Sequence, residues 1–300
     1  MGGQASADQR MEYTGMKLAG RLVTVTLLAS VSGCSSGATT VHVVCATAAD
    51  GCDFVGNRAL QAAVDSAADG DRIRVRAGRY VAEGFRDIPA GDITVRAYVL
   101  VENKELDIVA EEQALLSGGE VSPSTAIVVA GGKVRIEGLA ISGFFTESPD
   151  DQIYDGHGIF VISGSAHIVG VTLRSIEKMS VSVFGNSEVT LENCEVLDGH
   201  VGVWAEHESR TAIRDCVFRN NDSAGVAAYV SSAVTVSGTL FEDNLDDGIY
   251  AADQASVAVA DSAFIRNRPY AVRSVDDANI SVSTSKFREN EQDRFVQHGE

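Results

Sequence analysis

The chain has 300 residues and carries 24 Lys and Arg against 42 Asp and Glu, a formal charge of −18. That is long enough for one large core, and an excess of carboxylates repels phosphates, so nucleic acid is excluded as a natural partner. The same charge suits neutral sugars or divalent cations and disfavours a polyanionic polymer unless metal ions bridge it.

Residues 1–15 show no periodicity, and Met16 is a plausible start. From there Lys17 and Arg21 form a positive segment, followed by the apolar run Leu22 to Val31. A run of this length is too short to span a bilayer but suits a signal peptide. It ends in Val31-Ser32-Gly33-Cys34, which resembles a bacterial lipobox, so residues 1–34 are expected to be a leader and Cys34 the lipidated residue. The alternative is a cleaved signal with an incidental cysteine. The lipobox reading implies a membrane-anchored lipoprotein at the outer membrane or cell surface, held by lipid and not by a spanning helix.

Residues 35–56 read as a tether plus a small loop, closed by a disulfide between Cys45 and Cys52. Asn57 to Gly70 reads as a short amphipathic helix, with Asn57 as cap and Leu60, Ala63, Val64 and Ala67 on one face. Irregular coils follow over 94–143, at Val99/Val101, Leu106/Ile108, Ile127/Val129 and Val134/Ile136. Two excursions interrupt them, Val81–Asp92 and Thr146–His157. Such insertions often mark a binding face.

From Ile159 to Asn290 the chain repeats itself. Ile159, Val181, Val203, Val226, Ile249 and Val272 recur at a step of 22 or 23. Ile168, Leu191, Ile213, Val236, Val259 and Val282 keep the same step, as do Leu173, Val196, Phe218, Phe241, Phe264 and Phe287. An asparagine follows each of the last four by three residues: Asn221, Asn244, Asn267 and Asn290. Within a repeat the pattern alternates with period two, which is strand. Stacking one repeat on the next merges every apolar column into a shared interior. The expected fold is all-β, a right-handed parallel β-helix over 57–293 with a capping helix and a short tail at 294–300. Cys194 and Cys216 occupy equivalent positions on adjacent coils and are expected to be stacked thiols, with a coil-to-coil disulfide as the alternative.

The entry segment LQAAVDSAADGDRIRVRAGRY, with these repeats, resembles the pectin-lyase-like β-helix superfamily. The resemblance implies a fold shared by lyases, hydrolases, esterases, epimerases and non-catalytic modules, and so does not select an activity. Gly156-His157-Gly158 and Asp246-Asp247 match two polygalacturonase fragments by letter. Their order is reversed and the companion motifs are missing, so neither is carried over.

Two groups of outward residues are candidates for chemistry. Phe160, Phe184, Trp204, Tyr229 and Tyr250, with Arg273, are expected to form a solvent-facing ladder that binds carbohydrate. Asp155, His157, Asp198 and His200, in the turns before these strands, could act as acids and bases on a glycosidic bond. Asp150 and Asp151 with Asp155 could hold Ca²⁺; no other cofactor is expected. Missing catalytic motifs favour a non-catalytic envelope lipoprotein that binds polysaccharide or another envelope glycan, or serves as a surface scaffold. The alternative is a polysaccharide lyase or glycoside hydrolase acting along the edge from Asp155 to Arg273.

Overall fold

A strand that recurs every 22 or 23 residues can pair with its own copy only if the chain makes one full turn per repeat. The computed structural model, which describes residues 39–91, 93–119, 124–146 and 153–297, has that arrangement. Ile159 pairs in parallel with Val181, Val181 with Val203, and the register continues through Val226 and Ile249 to Val272. The Ile168 and Leu173 columns run unbroken to Val282 and Phe287.

Each regular coil has three strands, hence three faces. The first face holds Met179–Val183, Val201–Ala205, Val226–Ala228, Asp247–Ala251 and Tyr270–Val275. The second holds Glu188–Glu192 and its successors down to Asn279–Ser283, and the third Thr172–Arg174 down to Lys286–Arg288. A left-handed residue bends the chain at the corners, for example His207, Asp253 and Asp276 after the first face and Asn220 and Asp243 after the third. Most such positions hold Asn, Asp or Gly, which tolerate positive φ.

Inside, Phe218, Phe241, Phe264 and Phe287 stack with centroids 5.2, 4.8 and 5.2 Å apart and interplanar angles of 8°, 4° and 9°. Their rings need room on the first face. A Cβ at Gly202, Gly225 or Gly248 would lie 2.6, 2.8 or 2.9 Å from a phenyl carbon, so glycine accompanies phenylalanine in these coils. Where the third-face residue is Val196, the matching position is Ser180.

Two polar ladders tie the corners together. Asn221 Nδ2 donates to Asn244 Oδ1 at 2.9 Å, Asn244 to Asn267 at 2.8 Å and Asn267 to Asn290 at 3.2 Å. The second was not foreseen. The N–H groups of Cys194, Cys216, Thr239 and Ser262 donate to the side chains of Cys216, Thr239, Ser262 and Ser285 one coil on. Cys194 and Cys216 are unbonded buried thiols, as expected, and Cys216 Sγ serves as an acceptor in this ladder. The Cys45–Cys52 disulfide is formed.

Three boundaries differ from expectation. The helix runs only from Ala59 to Ser66, and Asn57 does not cap it, because its Oδ1 accepts from Val81 N at 3.0 Å. Leu60, Ala63, Val64 and Ala67 are buried over the first coil as expected, and Lys104 Nζ donates to Val64 O and Ala67 O at the helix end. The solenoid starts earlier than residue 57, since Val41–Cys45 pairs in parallel with Asp71–Val75. It also reaches further than 293, since Gln292–Gln297 pairs with Tyr270–Val275. Short strands take little sequence to form when a ready edge is beside them. The leader, Cys34 and Asp150-Asp151 lie outside the described residues.

Asn244→Ala would strip Phe218 O and the Asn221 amide of their partners in a dry interior. We expect a loss of about 2–4 kcal/mol in urea unfolding; an unchanged midpoint would show that the ladder does not stabilise the fold.

Candidate functional site

The first face turns one side to the core and the other outward. One outward column reads Phe160, Ser182, Trp204, Ala227, Tyr250, Arg273 and Phe295 in register. Phe184 and Tyr229 lie two residues further along their strands, beside the small Ser182 and Ala227. Large side chains therefore alternate between two columns, and Phe160 and Trp204 have small neighbours, Ser182 and Ala227, on the next coil.

The upper end of this ladder is sealed. Phe160 is only 1% exposed and packs among Ile93, Val95, Leu100 and Val128, with Ile88 and Tyr154 against it. The cover comes from both excursions. Arg86–Ala90, in the first, folds back antiparallel onto the long strand at Ile93–Ala97, and Tyr154 comes from the second. The expectation of a solvent-facing Phe160 is thus corrected. Asp155 and His157 are sealed with it. His157 stacks on Tyr154 at 5.8 Å and shares a hydrogen bond of 2.9 Å between Nδ1 and Ser182 Oγ. Burial, aided by Lys178, pushes its pKa down to about 3, so it stays neutral.

Asp198 and His200 lie two coils further on and in solvent. Asp198 takes its 3.1 Å contacts from Arg174 and Asn220, and His200 pairs with Asp222. The four residues expected to act together are therefore split between a closed interior and an open corner. His157, Asp198 and His200 each have their own local partners, and the buried Asp155 carboxylate oxygens have no hydrogen-bond partner among the described residues.

The lower end of the ladder is different. Trp204 and Tyr229 stack at 4.2 Å and 27°, and Tyr250 follows at 5.5 Å. The Arg273 guanidinium lies 4.6 Å from the Tyr250 ring centre and 5.7 Å from that of Tyr270. Met179, Val201, Ala224 and Ala227 complete an apolar patch outside the core. Above it Trp204 Nε1 donates to Glu206 Oε2 at 2.5 Å, and Glu206 Oε1 is 3.1 Å from His207 Nδ1. His207 in turn lies 4.4 Å from Phe184.

Two residues absent from the expected site organise this end. Asp247 is fully buried, and Arg273 Nε donates to its Oδ2 at 2.7 Å. Arg273 Nη2 reaches Asp246 Oδ1 at 3.4 Å. Asp247 Oδ1 has no hydrogen-bond partner among the described residues. Burial pushes the Asp247 pKa up to about 8 against the opposing pull of Arg273. Burial alone would lower the Arg273 guanidinium, but the two carboxylates outweigh it. Tyr229 and Tyr250 are pushed up by burial as well and stay protonated. A signal for Asp247 was present in the sequence: an acid in a register column that reads Met179, Val201 and Ala224 before it and Tyr270 after it.

One face of each of Trp204, Tyr229 and Tyr250 is already in use. Trp204 covers Tyr229, and Arg273 covers Tyr250. Solvent reaches ring edges, hydroxyls, the guanidinium and Asp246, a set suited to hydroxyl-rich ligands. Among the described residues no three His, Cys, Asp or Glu come together as a metal site.

Residues 157–299 match the family model described as the right handed beta helix region. The fold is the right-handed parallel β-helix expected from the repeats. This β-helix is similar to the alginate lyase AlyGC, at 14% identity and a TM-score of 0.58, over 88% of this chain and 38% of that one. It is similar to the alginate lyase of Paenibacillus sp. str. FPU-7, at 13% identity and 0.52, over 86% and 99% of the two chains. It also resembles pectate lyase Pel9A, at 14% and 0.51, over 83% of this chain and 63% of that one. The β-helix thus spans less than two thirds of two of these chains, and identities this low establish the fold alone. No curated protein matches the sequence.

Asp247 binds its proton more tightly in the folded β-helix than in the unfolded chain, where its value is near 3.8. The stability this contributes is complete below that value and is lost as pH rises through about 8. The stability difference between wild type and Asp247→Asn is therefore expected to shift against wild type from pH 4 to 8 in urea titrations. Parallel curves across that range would contradict the assignment.

Proposed function

We propose that this protein is an exported β-helix that binds polysaccharide through the strip from Trp204 to Arg273, without catalysing its cleavage. The observation that carries this reading is the Asp247–Arg273 pair beneath half-buried aromatics on the outside of the first face. A solenoid gains nothing in its core from those side chains. Burying a carboxylate outside the core costs stability, and such costs gather at functional sites. The second face supports the contrast: its central outward column is small, with Ala212, Thr235, Ala258 and Ser281 in register and no aromatic residue among them. The fold neighbours are named as lyases of pectate and alginate, which agrees with a glycan partner at the level of the fold.

A second reading, a lyase or hydrolase at the same strip, draws on Asp246 and Asp247 as neighbouring carboxylates in unlike environments. One experiment separates the two. The protein is incubated with a polysaccharide panel, and unsaturated products and reducing ends are followed beside binding. We expect binding without products, and about tenfold weaker binding for Trp204→Ala, which removes an edge contact and unstacks Tyr229. Product formation would establish the enzyme, and equal binding by Trp204→Ala would remove the strip from the site.

We further propose that Cys34 anchors the protein to the outer membrane or cell surface as a lipoprotein, on the strength of the Leu22–Val31 run and the Val31–Cys34 motif. Labelled palmitate is expected in the wild-type protein and not in Cys34→Ala; label retained in the variant would refute the anchor.

A further inference from the structure

The ionic contacts along the strip leave it short of positive charge. Arg273 is its one guanidinium, and both Asp247 and Asp246 hold it. His207 lies beside Glu206, and at the neighbouring corner His200 lies beside Asp222. The nearest lysine above, Lys178, sits over the Tyr154 ring at 5.3 Å, at the sealed end. Summed over Arg273, Asp246, Asp247 and Glu206, the charge is −1 if Asp247 holds its proton and −2 if it does not. The chain around it carries −18.

We propose that the strip takes an uncharged polysaccharide, and that Asp246 is the residue that turns away sugars bearing a carboxylate. The proposal rests on the polysaccharide-binding reading above. A sugar hydroxyl is both donor and acceptor. It can donate to the Asp246 carboxylate and accept from the Arg273 N–H groups, so Arg273 can serve it without leaving Asp247. A uronate carboxylate accepts only. At Arg273 it meets a guanidinium whose charge Asp246 and Asp247 already offset, with the Asp246 carboxylate repelling it, unless a metal ion stands between the like charges, and the described residues form no metal cluster. Asp247 is buried beneath Arg273 and cannot meet a ligand, whereas the Asp246 side chain is 48% exposed at the same guanidinium. Discrimination of this kind works by repulsion of the wrong ligand as much as by attraction of the right one.

The test uses the full chain and isothermal titration with six hexasaccharides. Hexamers of β-1,4-glucose, β-1,4-xylose, β-1,4-mannose and N-acetylglucosamine are neutral; hexagalacturonate and hexamannuronate carry carboxylates. Each is titrated in EDTA and again in millimolar calcium. At least one neutral hexamer is expected to bind about tenfold or more tightly than either uronate, in both conditions. Asp246→Asn, and Asp246→Ser as a second variant, are expected to shift the neutral-to-uronate affinity ratio toward uronate by about tenfold. Glu188→Gln, an equal change of charge on the second face, is expected to leave that ratio in place.

A uronate bound as tightly as the neutral hexamers, with or without calcium, overturns the proposal while leaving polysaccharide binding intact. A ratio unmoved by either Asp246 variant, or moved as much by Glu188→Gln, overturns the role of Asp246. If no hexamer of either class binds, polysaccharide binding itself falls.

Discussion

Parallel pairing between successive coils is the constraint on which everything else here depends. A strand in this solenoid hydrogen-bonds only to the strands before and after it, 22 or 23 residues away. Any coil that gained or lost a residue without a compensating loop would turn its apolar side chains outward, because side-chain direction alternates with period two. The columns Ile159–Val272 and Leu173–Phe287 are therefore consequences of pairing as well as sources of burial. The corners must also repeat, and the left-handed residue after each face is how they do so. Glycine at 202, 225 and 248 answers the phenylalanines three columns away in the same way. Each is explained only by its partner on the opposite side of the coil.

The outward positions carry no such constraint, and their composition is informative for that reason. On the second face the central outward column is small, Ala212, Thr235, Ala258 and Ser281, and the charged residues Glu188, Glu192, Arg210 and Arg214 stand beside it. On the first face they divide. The upper aromatics become an ordinary apolar layer beneath the Arg86–Ala90 strand, with Asp155 and His157 enclosed beside them. The lower aromatics stay half open and gather around a buried acid and a guanidinium. The ladder that looked continuous in sequence is two structures with different burial. Only the lower one combines solvent access with ionisable groups held out of their ordinary ranges.

One face of each lower ring is occupied by a neighbouring ring or by Arg273. On the polysaccharide-binding reading proposed above, contact there is through edges and hydrogen bonds instead of ring-on-sugar stacking. A preformed stack loses little conformational freedom when a ligand arrives, since the neighbouring rings and the Asp247–Arg273 pair already restrict the side chains. That favours a fixed binding surface over an adaptable one.

Much of the fold was legible in the sequence. Hydrophobic period and repeat length are local or near-local quantities, and the registers of Ile159, Ile168, Leu173 and the asparagines follow from them directly. The Cys45–Cys52 bond was accessible from spacing and an exported context; spacing put Cys194 and Cys216 on adjacent coils, and their unbonded state came from the structure. The ends of the solenoid were less so, because Val41–Cys45 and Gln292–Gln297 are strands only by virtue of the edges they meet. The site was legible in part. Trp204, Tyr229, Tyr250 and Arg273 could be picked out as outward residues of a repeat. Their separation from Phe160, the enclosure of Asp155 and His157, and the burial of Asp247 depend on where two irregular excursions fold and on which side chains lean across a coil. Those are contacts between segments with no common period, and no periodicity in the chain encodes them. The sequence by itself determined the coil, its handed stack and its asparagine ladder; tertiary packing alone decided which part of the outer face stayed open and which carboxylate lies against Arg273.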